Sequence, residues 1–532
     1  MVINSGPIKG INPYIVFISL ALVILFTSYT LFAPEQAAQV IDQTRTFITV
    51  SANGWYVSLS AFFLVFCLWL TFSRHGKLRL GSNDERPEFS TFAWFSMLYA
   101  AGQGIGIIFW SIAEPMFHFS SGTPFGDATP ETLAAAEEAM KVTFFHWGLN
   151  AWAIYCVVGV SMAFVCYRLK KPLSIRYTLY PLLGEKVNGW VGVTVDVIAV
   201  FATLFGIATS LGLGVQQINA GLHSIWDIPQ NLQVQLVLIV VISGCALISV
   251  MTGLKRGIKY LSIGNMWLTG LLLAFFLLLG PTVYIVKLLV TSMFDYFASL
   301  FSMNTFIEAA PQVAADADAS WKSMWQGWWS VFYWGWWISW APFVGVFIAR
   351  VSRGRTIREF IIAVVGVSSL LSFVWLAAYG GTAMNIDLTG SGGIADIVKN
   401  NVADALYATI NGMDLGFMSY LATIAGTLLV STYFITSSDS GTLVLTTIMS
   451  EGNEDPLKRH RIFWGVMQGL LAAVLLISGG SAALSTLQTA SITAALPFSV
   501  LMVFMCIALV KGVMDESRKE SSSAAVLAKG DC

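Results

Sequence analysis

Aromatic residues are the side chains whose spacing best fits a chemical role in this chain. They are concentrated in two segments, residues 147–155 and residues 333–340. At 100° per residue, Trp336 and Trp340 lie on one face of a helix, and Trp337 flanks that face. Ring faces attract a cation by about 0.5–2 kcal/mol each, without the desolvation cost of a buried acid. The spacing therefore predicts an aromatic cage for a small solute with a permanent positive charge.

The predicted cage consists of Trp147, Trp152, Tyr155, Trp336, Trp337 and Trp340. A tryptophan belt at a membrane interface is the competing interpretation of such rings. The belt suits Trp325 and Trp329, near the outer end of the second segment. It suits residues 336–340 poorly, because rings facing lipid in the middle of a membrane leave their indole N–H groups unpaired.

Four titratable residues fall inside long apolar runs, where charges are rare and usually functional. They are Glu114, His146, Asp196 and Asp439. A functional role remains open for each, and so does a structural role in which a buried, hydrogen-bonded side chain fixes helix packing. Asp439 differs from the others because it lies within the hydroxyl-rich sequence Thr436–Gly441.

The composition indicates that these side chains belong to a membrane protein. The chain has 532 residues, of which 56% are hydrophobic and 11% are charged, whereas soluble domains carry about 25% charged residues. Its outer surface must therefore face the lipid bilayer. A net charge of −1 provides no basic field for nucleic acid. The five histidines are dispersed without a metalloprotease motif, so an enzyme is disfavoured and no cofactor is expected.

Twelve apolar segments are long enough for membrane-spanning helices, each of which needs about 20 residues. The predicted fold is therefore an all-α integral membrane protein with twelve transmembrane helices. The predicted spans are 13–33, 52–73, 91–119, 140–167, 190–219, 232–252, 261–287, 323–350, 357–386, 417–449, 462–479 and 483–510.

Lysine and arginine residues predict the orientation of these helices, because they accumulate in short cytoplasmic loops. Of the 29 Lys and Arg residues, all but five fall in one set of alternate loops. The exceptions are Arg45, Lys141, Lys287, Lys322 and Lys399. Adding or removing one span would scramble this separation, so the count supports an even number of spans with both termini cytoplasmic.

Two predicted spans contain residues that interrupt helices. The third span contains Gly102, Gly104 and Gly106, and the eighth contains Pro342 and Gly345. These spans are five apart, which predicts two five-helix repeats that each begin with a broken helix. An odd repeat length inverts the second copy, and paired breaks in inverted repeats indicate a transporter's binding site near the membrane midplane.

Several motifs give the chain a resemblance to a known family. The strongest begins Phe332-Tyr333-Trp334-Gly335-Trp336-Trp337-Ile338-Ser339-Trp340-Ala341-Pro342-Phe343 and runs on to the arginine-rich residues 348–359. Ala113-Glu114-Pro115, His146-Trp147-Gly148 and Thr209-Ser210-Leu211-Gly212 support it. With these motifs, residues 13–512 resemble the betaine/choline/carnitine transporter (BCCT) family.

The resemblance implies a LeuT-like fold, in which two N-terminal helices precede an inverted five-helix repeat, and a homotrimer in a bacterial inner membrane. The implied division of the chain is 1–12 as the cytoplasmic N-terminus, 13–90 as the two-helix extension, 91–287 as the first repeat, 288–322 as a periplasmic interfacial segment, 323–510 as the second repeat and 511–532 as a cytoplasmic tail.

The resemblance also assigns site residues. The six cage residues match those of the family, and the Gln103 amide is expected to reach a substrate carboxylate. A sodium site is implied at Ala100 and Gln103, through carbonyl oxygens, with Tyr433, Thr436 and Ser437. A second sodium site matches only at Thr203 and Phe343, because Ile207 stands where a hydroxyl is needed, so coupling to two sodium ions is disfavoured.

The function implied is secondary active import of a small quaternary ammonium or sulfonium solute by alternating access, with sodium as the coupling ion. Glycine betaine, choline, carnitine and dimethylsulfoniopropionate share such a cationic head, and the sequence does not choose among them. Proton-coupled uptake and sodium-independent substrate exchange remain alternatives within the same family. A channel is disfavoured because the aromatic cage interrupts any continuous polar path.

Overall fold

The computed structural model describes residues 6, 9–252, 257–309, 323–390 and 392–530, and these residues are almost entirely helical. Within these ranges the only extended pairing is an isolated bridge between Arg79 and Thr356. The longer helices are α1 (Pro13–Phe32), α2 (Pro34–Ser51), α3 (Asn53–Phe72), α4 (Thr91–Gly102), α5 (Ile105–Ser121), α6 (Leu133–Trp147), α7 (Leu149–Ala163), α8 (Trp190–Trp226), α9 (Leu232–Thr252), α10 (Gly257–Leu279), α11 (Thr282–Thr305), α12 (Ser330–Arg350), α13 (Ser368–Leu388), α14 (Phe417–Met449), α15 (Lys458–Gly479) and α16 (Ala483–Gly530).

Twelve helical stretches in the described residues are long and apolar enough to cross a membrane, which confirms the predicted fold class. Eleven of them match predicted spans. The twelfth is α11, whereas the predicted third span does not qualify because it consists of two shorter helices.

The break predicted in the third span is confirmed. Helix α4 ends at Gly102, Gln103 is extended, and α5 begins at Ile105. Gly104, between the two helices, has a φ of 143°, a conformation that favours glycine. The chain therefore changes direction in the middle of the span and leaves backbone groups outside the regular helical ladder.

The matching break predicted in the eighth span is wrong. Helix α12 runs without interruption from Ser330 to Arg350, with Pro342 inside it. A proline removes one backbone hydrogen bond, which packed neighbouring helices in a membrane protein tolerate. Gly345 has a packing role instead, because a Cβ there would lie 2.5 Å from Val158 of α7.

Two further boundaries differ from the prediction. The predicted seventh span, 261–287, ends at Leu279, and Gly280 and Pro281 separate it from α11. Pro281 lacks an N–H group and cannot continue the preceding helix, although the apolar sequence continues past it. The first part of the segment predicted at 288–322 therefore belongs to helix α11, which begins at Thr282 and ends at Thr305. Residues 310–322 of that segment lie outside the described ranges. The fourth span also has an unpredicted interruption at Gly148, between α6 and α7.

Described residues near each end of the chain contact the Lys- and Arg-rich segments. His460 donates a hydrogen bond to the Lys9 carbonyl oxygen at 2.9 Å. Arg168 pairs with Glu516, near the far end of the chain, at 2.9 Å. Lys9, Glu516 and the basic segments around Arg168 and His460 therefore lie on one face of the helix bundle, called the basic face below.

Burial separates central helices from peripheral ones. In the most apolar part of the stretch Trp325–Arg350, 94% of the residues are buried inside the protein, against 17% in Leu261–Leu279. Helix α12 therefore lies at the centre of the bundle, packed against α7, α8 and α16. This position places the tryptophan-rich sequence inside the protein.

Candidate functional site

The six predicted cage residues form two facing groups of buried rings. The most exposed of them, Trp337 and Trp340, are each only 4% exposed. The Trp337 ring lies 4.8 Å from Trp147 and 6.0 Å from Tyr155, between ring centroids. Tyr155 in turn lies 5.8 Å from Trp152. The fourth and eighth spans thus contact each other through their rings, and the lipid-facing belt does not explain these residues.

All five cage tryptophans donate their indole N–H group to another protein group. Trp147 donates to the Glu114 carboxylate at 2.7 Å, Trp152 to Ser372 at 3.4 Å, Trp336 to Ser210 at 3.3 Å, Trp337 to the His146 carbonyl at 3.0 Å and Trp340 to the Gly206 carbonyl at 2.8 Å. These bonds fix the ring orientations. The faces of Trp336 and Trp337 stack on each other, with 5.0 Å between ring centroids, so a cation must part these rings to reach the faces between them. The buried Tyr155 hydroxyl has no hydrogen-bond partner among the described residues.

Glycines allow these rings to approach the broken third span. A Cβ at Gly106 would lie 2.5 Å from the Trp336 ring, and one at Gly102 would overlap the Trp152 ring. At Gly206 in α8, a Cβ would lie 2.8 Å from Trp340. Any larger residue would push the rings away from the break, so these glycines contribute directly to the geometry of the site.

A cavity of about 550 Å³ joins part of the cage to the predicted sodium site. Six of its lining residues were predicted as site residues: Gln103, Trp340, Phe343, Tyr433, Thr436 and Ser437. The cavity also reaches Phe92 at the start of α4 and Phe347 near the end of α12. These helix ends adjoin the arginine-rich loops, so the cavity approaches the site from the basic face. The other five cage residues lie beyond its lining.

The break in the third span meets α14 at the predicted sodium site. A Cβ at Gly104 would lie 3.8 Å from the Ser437 hydroxyl and 3.6 Å from the Trp340 ring. The Thr436 hydroxyl donates to the Thr432 carbonyl at 3.0 Å and accepts from Asn265 at 3.2 Å. Ala100 lies in the last turn of α4. Oxygen atoms at a helix break are the ligands expected for a hard monovalent cation.

The two residues predicted for a second sodium site, Thr203 and Phe343, lie in different surroundings. Thr203 is buried and donates to the Ala199 carbonyl of its own helix at 2.7 Å. Phe343 lines the cavity. Ile207 packs tightly against Gly441 and brings methyl groups to the position where the resemblance implies a hydroxyl.

Gln103 uses one of its two amide N–H groups inside the protein. Its Nε2 already donates to the Ser372 hydroxyl at 2.7 Å, while its buried Oε1 has no hydrogen-bond partner among the described residues. A free amide oxygen suits a cation and repels a carboxylate. A substrate carboxylate would therefore have to bind the second Nε2 hydrogen, on the nitrogen that already donates to Ser372.

Two of the buried acids have structural partners. Asp196 accepts from Arg176 at 2.6 Å, and Asp439 accepts from Arg461 at 2.7 Å. The first pair ties α8 to the loop before it, and the second ties α14 to the start of α15, which favours the structural interpretation for these acids. Glu114 differs, because its partners are histidines and the cage residue Trp147.

His118, Ser330 and Ser372 bind site residues but were not among the predicted ones. His118 lies one helical turn after Glu114, and that spacing could have predicted their contact. Ser372 contacts Gln103 and Trp152 from more than 200 positions away in the sequence. Nothing in the local sequence distinguishes it from other serines.

Comparison with known proteins gives a consistent result along the whole chain. The family model described as BCCT, betaine/carnitine/choline family transporter, matches residues 14–518. The chain is 40% identical to a probable glycine betaine transporter of Desulfitobacterium hafniense, over 96% of this chain and 99% of the relative. It is 43% identical to the glycine betaine transporter OpuD of Bacillus subtilis, over 92% and 91%. It is 38% identical to a glycine betaine/proline/choline transporter of Vibrio parahaemolyticus, over 93% and 89%.

Proposed function

The chain belongs to the betaine/carnitine/choline transporter family, and from that premise we propose that it imports glycine betaine together with a sodium ion. It is a multi-pass membrane transporter and not an enzyme. Relatives named as glycine betaine transporters cover nearly the whole chain, which supports this substrate.

The observation that carries the proposal is the pair of facing ring groups beside a broken helix. Five indoles have their N–H groups bound to protein, so what they can offer a ligand is mainly their ring faces. A trimethylammonium group has no N–H donor, and aromatic faces are its preferred partners. The cage therefore binds the cationic head, at a depth where a buried ion pair would be costly.

The uncharged lining of the cavity supports a zwitterionic substrate. Within the described part of the chain, the residues lining the cavity include aromatic rings, amides and hydroxyls, and none carries a formal charge. Glycine betaine has no net charge, so such a lining can accept it together with one sodium ion. Choline would bring two positive charges into the same space once sodium is bound. This difference favours glycine betaine over choline.

The sodium ion binds where the third span breaks, next to Ser437 and Thr436. Its ligands come from two helices, α4 and α14, so its binding stabilises their contact. Sodium binding therefore favours the conformation in which the cage is assembled, and this is the physical basis of coupling. The cavity on the basic face corresponds to an inward-facing state, with the ring groups closing the path to the opposite side.

Orientation and assembly complete the proposal. The distribution of Lys and Arg supports cytoplasmic placement of both termini in a bacterial inner membrane. A homotrimer follows from the family resemblance alone. Neither property is needed for the cage to bind its substrate.

Uptake into proteoliposomes tests the function. We expect labelled glycine betaine to accumulate when external sodium is present, and to stop when potassium replaces it. Accumulation that follows a proton gradient instead would identify proton-coupled uptake. Sodium-independent uptake that requires substrate inside the vesicles would identify exchange. Either result would overturn sodium symport while leaving the family assignment intact.

A further inference from the structure

A buried group of one carboxylate and two imidazoles lies beside the cage. The Nδ1 atom of His146 lies 2.5 Å from Glu114 Oε1, and His118 Nε2 lies 3.4 Å from the same oxygen. The three donor atoms all lie within 4.8 Å of one another. Each of these side chains is at most 2% exposed. We propose that Glu114, His118 and His146 form a binding site for a divalent transition-metal ion such as Zn²⁺.

The His118 ring supplies the second observation for this site. Its Nε2 atom is buried and points at Glu114, but no hydrogen bond satisfies it among the described residues. Its 3.4 Å contact with Glu114 does not satisfy this buried nitrogen with a hydrogen bond, and a bound ion would recover the free energy that this costs. The His118 ring also packs 4.5 Å from the ring of Trp329, which limits its movement.

The other two ligands have outer partners that fix their orientation. Ser330 donates to the His146 Nε2 atom at 3.0 Å, and Trp147 donates to the second oxygen of Glu114 at 2.7 Å. When Nδ1 of His146 binds a metal, its proton moves to Nε2, and the Ser330 oxygen can then accept it. Such outer hydrogen bonds are typical of metal-binding histidines and carboxylates.

The donor set selects the type of ion. Imidazole nitrogens with one carboxylate oxygen suit Zn²⁺, Co²⁺, Ni²⁺ and Cu²⁺, whereas Na⁺, Mg²⁺ and Ca²⁺ prefer oxygen alone. Three protein ligands leave a coordination position for water. The proposed site is therefore chemically distinct from the sodium site, whose predicted ligands are oxygens.

A second cavity gives the ion a route. It measures about 760 Å³, lies on the side of the protein opposite the basic face, and is lined by His118 together with Trp325 and Trp329. An ion entering this cavity reaches His118 first and His146 behind it. Glu114 also accepts the indole hydrogen bond of Trp147, so an ion bound to Glu114 acts on the orientation of this cage ring.

Metal titration of the full-length protein in nanodiscs, without substrate or sodium, tests this inference. We expect Co²⁺ to give visible absorption bands that saturate at one ion per chain, and Zn²⁺ to displace it at micromolar concentration. His118→Asn should weaken Zn²⁺ binding more than about tenfold, and Ser330→Ala by about tenfold. The matched control is His223→Asn, which changes an exposed histidine on the same side.

Two results would overturn the site: no saturable Co²⁺ spectrum in the unmodified protein, or equal Zn²⁺ affinity in the unmodified and His118→Asn proteins. The unmodified protein alone decides the first result, so a poorly folding variant does not obstruct the test. Because neither substrate nor sodium is present, failure of this inference leaves the transport proposal untouched. Failure of sodium-driven uptake likewise leaves the metal site untouched.

Discussion

At the scale of single residues, ring faces and not polar groups carry the proposed recognition. Trp340 illustrates this, because its N–H group is held by the Gly206 carbonyl while its ring borders the cavity. Its contribution to binding therefore comes from the π-face and from its contact area. Each such face is worth about 0.5–2 kcal/mol to a bound cation.

Removing one ring should weaken binding measurably. We predict that Trp340→Ala and Trp152→Ala each lower the affinity for glycine betaine at least about tenfold, or about 1.4 kcal/mol. Competition with labelled substrate on purified protein measures this. Trp190→Ala is the control, since the Trp190 ring is 64% exposed and does not line the cavity. The affinity of this variant for glycine betaine should not change. Equal affinities in all three variants would remove the cage from the account.

The hydroxyls of α14 should decide the response to sodium. We predict that the double change Thr436→Ala and Ser437→Ala abolishes stimulation of uptake by sodium, because two oxygen ligands are lost at the helix break. Uptake measured at increasing external sodium checks this. Thr432→Ala, one turn away and bonded to its own helix, serves as control. A sodium response that survives the double change would place the ion elsewhere.

The sequence could identify the cage rings but not their supports. Spacing and resemblance were enough to select Trp147, Trp336 and Trp340, because these residues cluster in two segments and fall within recognisable motifs. Ser372 and the Gly206 carbonyl could not be selected, since serine and backbone oxygens occur throughout the chain. Their roles arise only when distant helices pack together.

At the scale of elements, the broken third span is the feature on which the site depends. We predict that Gly104→Ala lowers uptake more than about tenfold, because its φ of 143° is strained for any residue with a Cβ. Uptake normalised to the amount of protein in the membrane measures the effect. Gly264→Ala is the matched control, since a Cβ there meets nothing within 4 Å. Normal uptake by Gly104→Ala would show that this conformation is dispensable.

The elements also show which sequence signals were ambiguous. Clustered glycines at 102–106 predicted a true break, because one glycine adopts a conformation unavailable to other residues. Pro342 and Gly345 resembled the same signal, yet α12 continues through both, and Gly345 serves to accommodate Val158. Gly280 and Pro281 were overlooked because apolar residues continue on both sides. Hydropathy alone cannot separate one long span from two adjacent helices.

At the scale of the whole molecule, the arrangement of cavities predicts which side reaches the site. In a cysteine-free background, we expect Ser440→Cys, in the cavity beside the sodium site, to react with an impermeant maleimide only from the basic face. Gln235→Cys, in the opposite cavity, should react only from the other side and provides the matched control. Labelling of Ser440→Cys from both sides in the absence of ligand would contradict an inward-facing resting state.

The overall architecture was the most predictable feature of this protein. Low charge content, the length of the apolar segments and the placement of Lys and Arg each follow from the energetics of lipid, which apply along the whole chain. Local geometry at Gly148 and Pro281 depends on individual contacts and was not predicted. The inverted repeat and the trimer stay predictions.

The most direct test is a cryo-electron microscopy structure of the protein with glycine betaine and sodium bound. We predict that the trimethylammonium nitrogen lies within about 6 Å of at least three ring centroids among Trp147, Trp152, Tyr155, Trp336, Trp337 and Trp340. We also predict that no carboxylate side chain contacts the nitrogen. A betaine bound away from these rings, or paired with Glu114, would contradict the account.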